Sequence, residues 1–153
     1  MTRTIRSITL WQTIALCTVI ACSSSTAPGQ HDLAFARQRW SLGNLRSYEY
    51  VGRRSCGECW PDAVRPITVT VTDGVVTGRV YADTGSPVPS SVTDFTTVES
   101  LFALVEAAYA RHAALVDASY DPVTGVPLSI FIDGNLQAVD DEAGYYVSAF
   151  HSR

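Results

Sequence analysis

The sequence predicts an α+β domain: one antiparallel sheet of five to six strands with two helices on one face, in the order α-β-β-β-α-β-β-β. Three observations carry this expectation. Residues Val64 to Thr72 alternate Val or Ile with Thr and lead through Asp73-Gly74 into a second apolar run, Val75 to Tyr81. Such alternation marks a strand with one buried and one solvated face. Asp-Gly between two such runs signals a hairpin, because a type I′ turn needs positive φ at both central residues. Two stretches with helical spacing of apolar residues, around Leu33–Trp40 and Leu101–His112, each precede strand-like segments. Helices grouped on one face of an antiparallel sheet suit this pattern.

Taken in order, Asp32 is a plausible N-cap for the first helix, whose apolar face begins at Leu33, Phe35 and Ala36 and reaches Trp40. Gly43 or Asn44 supplies its stop. Ser47 to Gly52 alternates aromatic and polar residues as a strand does, and the segment from Cys56 to Asp62 reads as a turn or loop. After the hairpin, residues 83–95 are rich in Gly, Pro, Ser and Thr, hence a loop. Thr96 as N-cap with Glu99 three residues on forms a capping-box pattern for the second helix. Val116 to Tyr120, Pro127 to Ile132 and Tyr145 to Phe150 are the remaining strands, with a turn at Asp121–Gly125 and an acidic loop after Asp133. Ile67 to Gly74 and Leu128 to Gly134 correspond in pattern. Two readings stand open: an internal duplication, or similar hairpins arising from the same local physics.

The N-terminus carries an address. Arg3 and Arg6 precede an apolar run from Ile8 to Ala21 that is shorter than a membrane span requires. It ends in Val19-Ile20-Ala21-Cys22, which resembles a bacterial lipobox. The resemblance implies a signal peptide over residues 1–21, Cys22 as the lipidated mature N-terminus bearing palmitate-type acyl chains, a flexible tether over 22–31, and a single domain over 32–153. It implies a protein anchored by its lipid to an envelope membrane and facing the extracytoplasmic side. Ser23 after the cysteine, rather than an acidic residue, points to the outer membrane where there are two. The exported chain has nine arginines against 15 acidic residues, a net charge of −6, and no lysine at all. Schiff-base chemistry and a P-loop lysine are thereby excluded. An acidic chain without a basic cluster also argues against nucleic acid as partner. No cofactor motif is present.

Cys56 and Cys59 are the two cysteines that remain in the exported domain. Outside the cytoplasm such a pair is most often oxidised, which makes a structural disulfide the first reading. A redox dithiol would call for a helix starting at the pair, and zinc for two further ligands; neither pattern is present in the sequence.

The order Trp40, Tyr48-x-Tyr50, Cys56-x-x-Cys59, Val69-x-Val71-x-Asp73-Gly74 and Thr97-Val98-x-x-Leu101-Phe102 continues with Tyr120-Asp121-Pro122, Gly125-x-Pro127 and Asp140-Asp141-Glu142 before Tyr145. Together these resemble a family of small bacterial lipoproteins, the DUF6174 type. The resemblance spans roughly residues 35 to 150. It implies the fold and the location, and it brings no activity with it.

For function the sequence supports three expectations. The first is a non-catalytic module binding a protein, peptide or small molecule on the open sheet face or in the loops, with Tyr48, Tyr50, Tyr145 and Tyr146 as the candidate ligand face. Adjacent Tyr145 and Tyr146 must point to opposite faces of a strand, so at least one is expected outside. The alternatives are a thiol-disulfide redox protein using Cys56 and Cys59, and a calcium-dependent module using Asp133, Asn135, Asp140, Asp141 and Glu142. The spacing of those oxygens departs from the EF-hand pattern. No Gly-x-Ser-x-Gly elbow is present, and His31, His112 and His151 are scattered, so the sequence offers no catalytic set.

Overall fold

The computed structural model describes residues 28–153. The expected signal peptide, Cys22 and the first part of the tether lie outside the described residues. The chain folds as two helices on a six-stranded, wholly antiparallel sheet, in the order α-β-β-β-α-β-β-β.

Helix α1 spans Pro28–Gly43 and buries Leu33, Ala36 and Trp40 along one stripe. It begins four residues earlier than Asp32, so residues 28–31 of the expected tether are helical. Proline at the first helical position explains the early start: its φ is already helical and it lacks the N–H that would go unpaired there. The helix stops at Asn44, which takes a left-handed φ of 46°.

Strands β1 (Tyr48–Cys56), β2 (Ile67–Thr72) and β3 (Val75–Tyr81) form a meander. In β2, Ile67, Val69 and Val71 are fully buried while the threonines face outward. Asp73 (φ 51°) and Gly74 (φ 80°) turn the chain into β3, as the hairpin signal requires. The expected strand from Val64 starts only at Ile67, because Pro61–Val64 coil into a short 3-10 helix.

Helix α2 (Val98–Ala110) is followed by β4 (Leu115–Tyr120), β5 (Pro127–Asp133) and β6 (Ala143–Ser152). Its N-cap is Thr97 rather than Thr96: the Thr97 hydroxyl accepts from the Ser100 N–H. Glu99 therefore does not close a capping box. Its carboxylate accepts from the indole N–H of Trp40 at 2.9 Å and from the Tyr48 hydroxyl at 3.5 Å. The helix ends in a Schellman pattern, with left-handed His112 (φ 58°) bonding to Tyr109 O and Ala113 to Ala108 O.

The strands are ordered β3-β2-β1-β6-β5-β4, so the two meanders meet along β1 and β6. This order bears on the duplication. Carrying β3-β2-β1 onto β6-β5-β4 keeps the lateral sequence of strands but reverses their direction. The rotation that does so turns the sheet over and would put α2 on the face opposite α1. The helices instead lie side by side, antiparallel, on one face, with Arg37 of α1 paired to Glu106 of α2. The halves are thus two meanders with like sequence patterns and unlike spatial settings.

Between the helices and the sheet sits the core: Trp40, Tyr48, Tyr50, Val69, Phe102, Val105 and Ile130 among others. Gly52 has a local reason. The Phe95 ring lies directly over its Cα, where any side chain would collide with it.

Candidate functional site

The four tyrosines expected to form a ligand face divide between the two sides of the sheet. Tyr48 and Tyr50 are completely buried beneath the helices. Their hydroxyls hold the start of α2: Tyr48 accepts from the Val98 N–H at 2.9 Å, and Tyr50 donates to Thr96 O at 3.2 Å. Burial pushes the Tyr48 phenol up to about 12, with the Val98 bond opposing and the Glu99 charge adding to the rise. Burial likewise raises Tyr50, helped by the neighbouring phenol of Tyr48. These are core residues with capping roles, which corrects their assignment to an open face. Tyr145 also points inward, its ring 6.0 Å from Phe95, and burial raises its phenol while Arg54 opposes. Tyr146 alone of the four faces out, at 39% exposure, with the Arg53 guanidinium 5.2 Å above its ring. Opposite directions for the adjacent pair are what strand geometry demands.

Around Tyr146 the uncovered sheet face is rich in hydroxyls. Ser119 and Ser129 share a hydrogen bond at 2.7 Å, and Thr70 donates to Glu49. The Glu49 carboxylate is also held by Arg153 and stands 3.6 Å from His151.

The oxygens considered for calcium do not converge. Asp133 accepts from the Asn135 N–H and Asn135 from the Gln137 N–H, both closing local Asx turns. Asp140 packs against Gly57 and Asp141 against Gly134. Among the described residues no three His, Cys, Asp or Glu side chains are placed to share one ion.

Cys56 and Cys59 are bonded to each other, with Cα atoms 5.7 Å apart. The bond closes the turn at the end of β1 and fixes the start of the next segment. Trp60 sits between Cys59 and Pro61 with φ −58° and ψ 140°, the extended backbone that a following proline favours. Its carbonyl accepts from the Ala63 N–H, and Arg65 at the end of the 3-10 turn lies 3.7 Å over the Tyr81 ring. Arg65 also pairs with Asp83 at 2.7 Å, and that hydrogen bond lowers the Asp83 carboxyl and raises the guanidinium. The Trp60 backbone is thereby held in place while the residue is left 81% exposed, far more than Phe35 at 46%.

Beside this ring is a groove of about 470 Å³, lined by Trp60, Arg54, Asp62, Ser91, Thr93 and Asp94. Arg54 and Asp94 pair across its floor at 3.1 Å, both largely buried. Arg79 donates to the Asp94 carbonyl from beneath. The next residue, Phe95, is held at φ 56°, an unusual conformation for a bulky side chain. Such strain survives only where surroundings over-determine it, and it gathers at ligand sites. A wider groove of about 770 Å³ runs between α1 and α2, but its charged walls, Arg37 and Glu106, are long, nearly half-exposed side chains paired with each other.

Sequence reasoning passed over Trp60. One signal for it is there: a tryptophan between Cys59 and Pro61 has no period-2 or period-3.6 neighbours with which to share a buried face.

No curated protein and no solved structure matches the chain. A family model does, across residues 32–152, which takes in α1 from Asp32 onward, α2 and all six strands. The chain therefore belongs to the family of unknown function DUF6174.

Proposed function

We propose that this protein is a lipid-anchored module of the bacterial envelope that binds a saccharide at the Trp60 corner without transforming it. The observation that carries the reading is an exposed tryptophan lining a polar groove, on a backbone constrained by the Cys56–Cys59 bond and Pro61. An aromatic face presents a flat, apolar platform of the kind that stacks on the C–H face of a sugar ring. Arg54 and Asp94 supply charge-assisted donors and acceptors at the floor, with Asp62, Ser91 and Thr93 as further partners for ring hydroxyls. A small number of fixed polar groups in a largely preformed cleft is how orientation and specificity are set. The disulfide acts here as a staple for Trp60 rather than as a redox centre.

The binding half is tested by titrating soluble oligosaccharides, including N-acetylhexosamine chains, against tryptophan emission and by calorimetry. Trp60→Ala abolishes binding, whereas Tyr146→Ala on the open sheet face leaves it intact. Binding that survives Trp60→Ala and is lost in Tyr146→Ala would return the ligand to the sheet face. The anchoring half predicts a mature N-terminus at an acylated Cys22; intact-mass spectrometry showing an unmodified Met1 start would remove it.

A further inference from the structure

The two edges of the sheet are finished differently. On β3 the last three residues of the outer edge are already occupied: Val80 bridges Pro87, Tyr81 N–H bonds to Ser86 O at 2.9 Å, and Val88 N–H bonds to Arg79 O at 3.1 Å. Proline in the covering segment ends further pairing, since it has no N–H to offer. The outer edge of β4 has no such cover among the described residues. It reads Leu-Val-Asp-Ala-Ser-Tyr, with no proline, glycine or basic residue, and Asp117 as its one charge. An uncovered strand edge is a template for another strand.

Helix α1 overhangs this edge. Asp32, Phe35 and Arg39 flank a groove of about 290 Å³ whose other wall is Ala118, Ser119 and Tyr120. Phe35 is 46% exposed there. Asp32 and Arg39 form no ion pair among the described residues, whereas Arg37, Arg54, Arg65 and Arg153 each have a carboxylate partner.

We propose that the occupant of this edge is a second copy of the chain, with β4 pairing antiparallel to β4 across a twofold axis to give a continuous sheet of twelve strands. A twofold interface must be complementary to itself: where residue i meets j, j meets i. The helix flank has that property. Phe35 lies midway between Asp32 and Arg39, so two α1 helices crossing at Phe35 bring Asp32 of each near Arg39 of the other. Both unpaired charges are satisfied, and the two exposed rings cover one another. The strand fixes the register. Residues directly opposite must share a face, so the axis passes through residue 117 or residue 118. An axis at Asp117 sets two carboxylates against each other. An axis at Ala118 sets Asp117 opposite Ser119 of the second copy, and Val116 opposite Tyr120, and this is the pairing the charges favour.

The interface is independent of the Trp60 groove, and its test uses the full chain with Cys17 and Cys22 replaced by serine. Sedimentation at roughly 100 μM reads a dimer. Asp32→Arg or Arg39→Asp alone sets like charges together and weakens self-association by about tenfold or more, while the double exchange restores it. Both positions are exposed on one helix, so far-UV circular dichroism stays unchanged. Mixing Asp117→Cys with Ser119→Cys chains under mild oxidation yields a crosslinked heterodimer, since opposed strand residues lie within disulfide reach. A wild-type monomer at that concentration overturns the proposal. So does a dimer indifferent to both charge reversals, and preferential Asp117→Cys self-crosslinking overturns the register.

Discussion

Tyr48 and Trp60 are aromatic residues at the two ends of β1, and the molecule treats them in opposite ways. Tyr48 begins the strand, packs edge-on to Trp40 at 5.3 Å and turns its hydroxyl to the first N–H of α2. Trp60 lies four positions beyond the strand's last residue and is left in solvent by a disulfide and a proline. The difference teaches that the number of aromatic residues says little about binding. What matters is whether a ring belongs to a periodic face that another element can cover. Tyr48 and Tyr50 share such a face with Val69 and Val71 on β2. Trp60 shares one with nothing.

The largest expected effect lies on the buried side of the comparison. Tyr48→Ala removes a ring packed against Trp40, Tyr50 and Phe150 and costs about 3–5 kcal/mol, read as a lowered midpoint in urea unfolding. Tyr48→Phe keeps the ring and deletes the acceptor for Val98 N–H, at a cost of about 1–2 kcal/mol. The phenol also sets a pH window. Its folded value of about 12 stands above the unfolded 10.0, so the protonated form is favoured by folding. That stabilisation is complete below pH 10 and fades as pH rises from 10 to 12. In Tyr48→Phe the alkaline decline should be shallower. An unchanged alkaline profile, or a Tyr48→Ala chain as stable as wild type, would move Tyr48 out of the core and erase the contrast.

Most of the fold was legible because the sequence states it redundantly. In β2 the Val/Thr alternation, the Asp-Gly turn and the returning strand all agree, and the observed φ values of 51° and 80° are those the turn demands. The misses were local competitions. Thr96 and Thr97 each offer a hydroxyl before α2, and spacing to Glu99 favoured the wrong one. Glu99 was already engaged by Trp40, 59 residues away, a pairing that no local pattern reveals. The start of α1 was missed because Ser-Pro-Gly-rich composition suggests a tether, while a proline can equally open a helix. The candidate site was the least legible. The sequence shows that Trp60 lies in a loop, but Arg54, Asp94 and Asp62 come together through β1, the loop before α2 and the 3-10 turn, which only the tertiary arrangement joins.

A smaller effect sharpens the exposed side of the comparison. Replacing both Cys56 and Cys59 with serine opens a loop of only four residues, so the loss of chain constraint is about 2 kcal/mol, less than for Tyr48→Ala. The strand tyrosines do not depend on this bond, because their positions are set by cross-strand register and by α2. The Trp60 backbone does depend on it: without the bond, its placement rests on Pro61 and the Ala63 N–H. The serine pair should therefore unfold cooperatively at a slightly lower denaturant concentration and bind oligosaccharide more weakly, with an unchanged near-ultraviolet signal from the core aromatics. Measuring the reduction potential of the wild-type pair separates this staple from a redox role. A structural bond lies below about −300 mV. A value well above that, together with oligosaccharide binding indifferent to the serine pair, would make Cys56 and Cys59 the working residues of this corner and reduce Trp60 to a bystander.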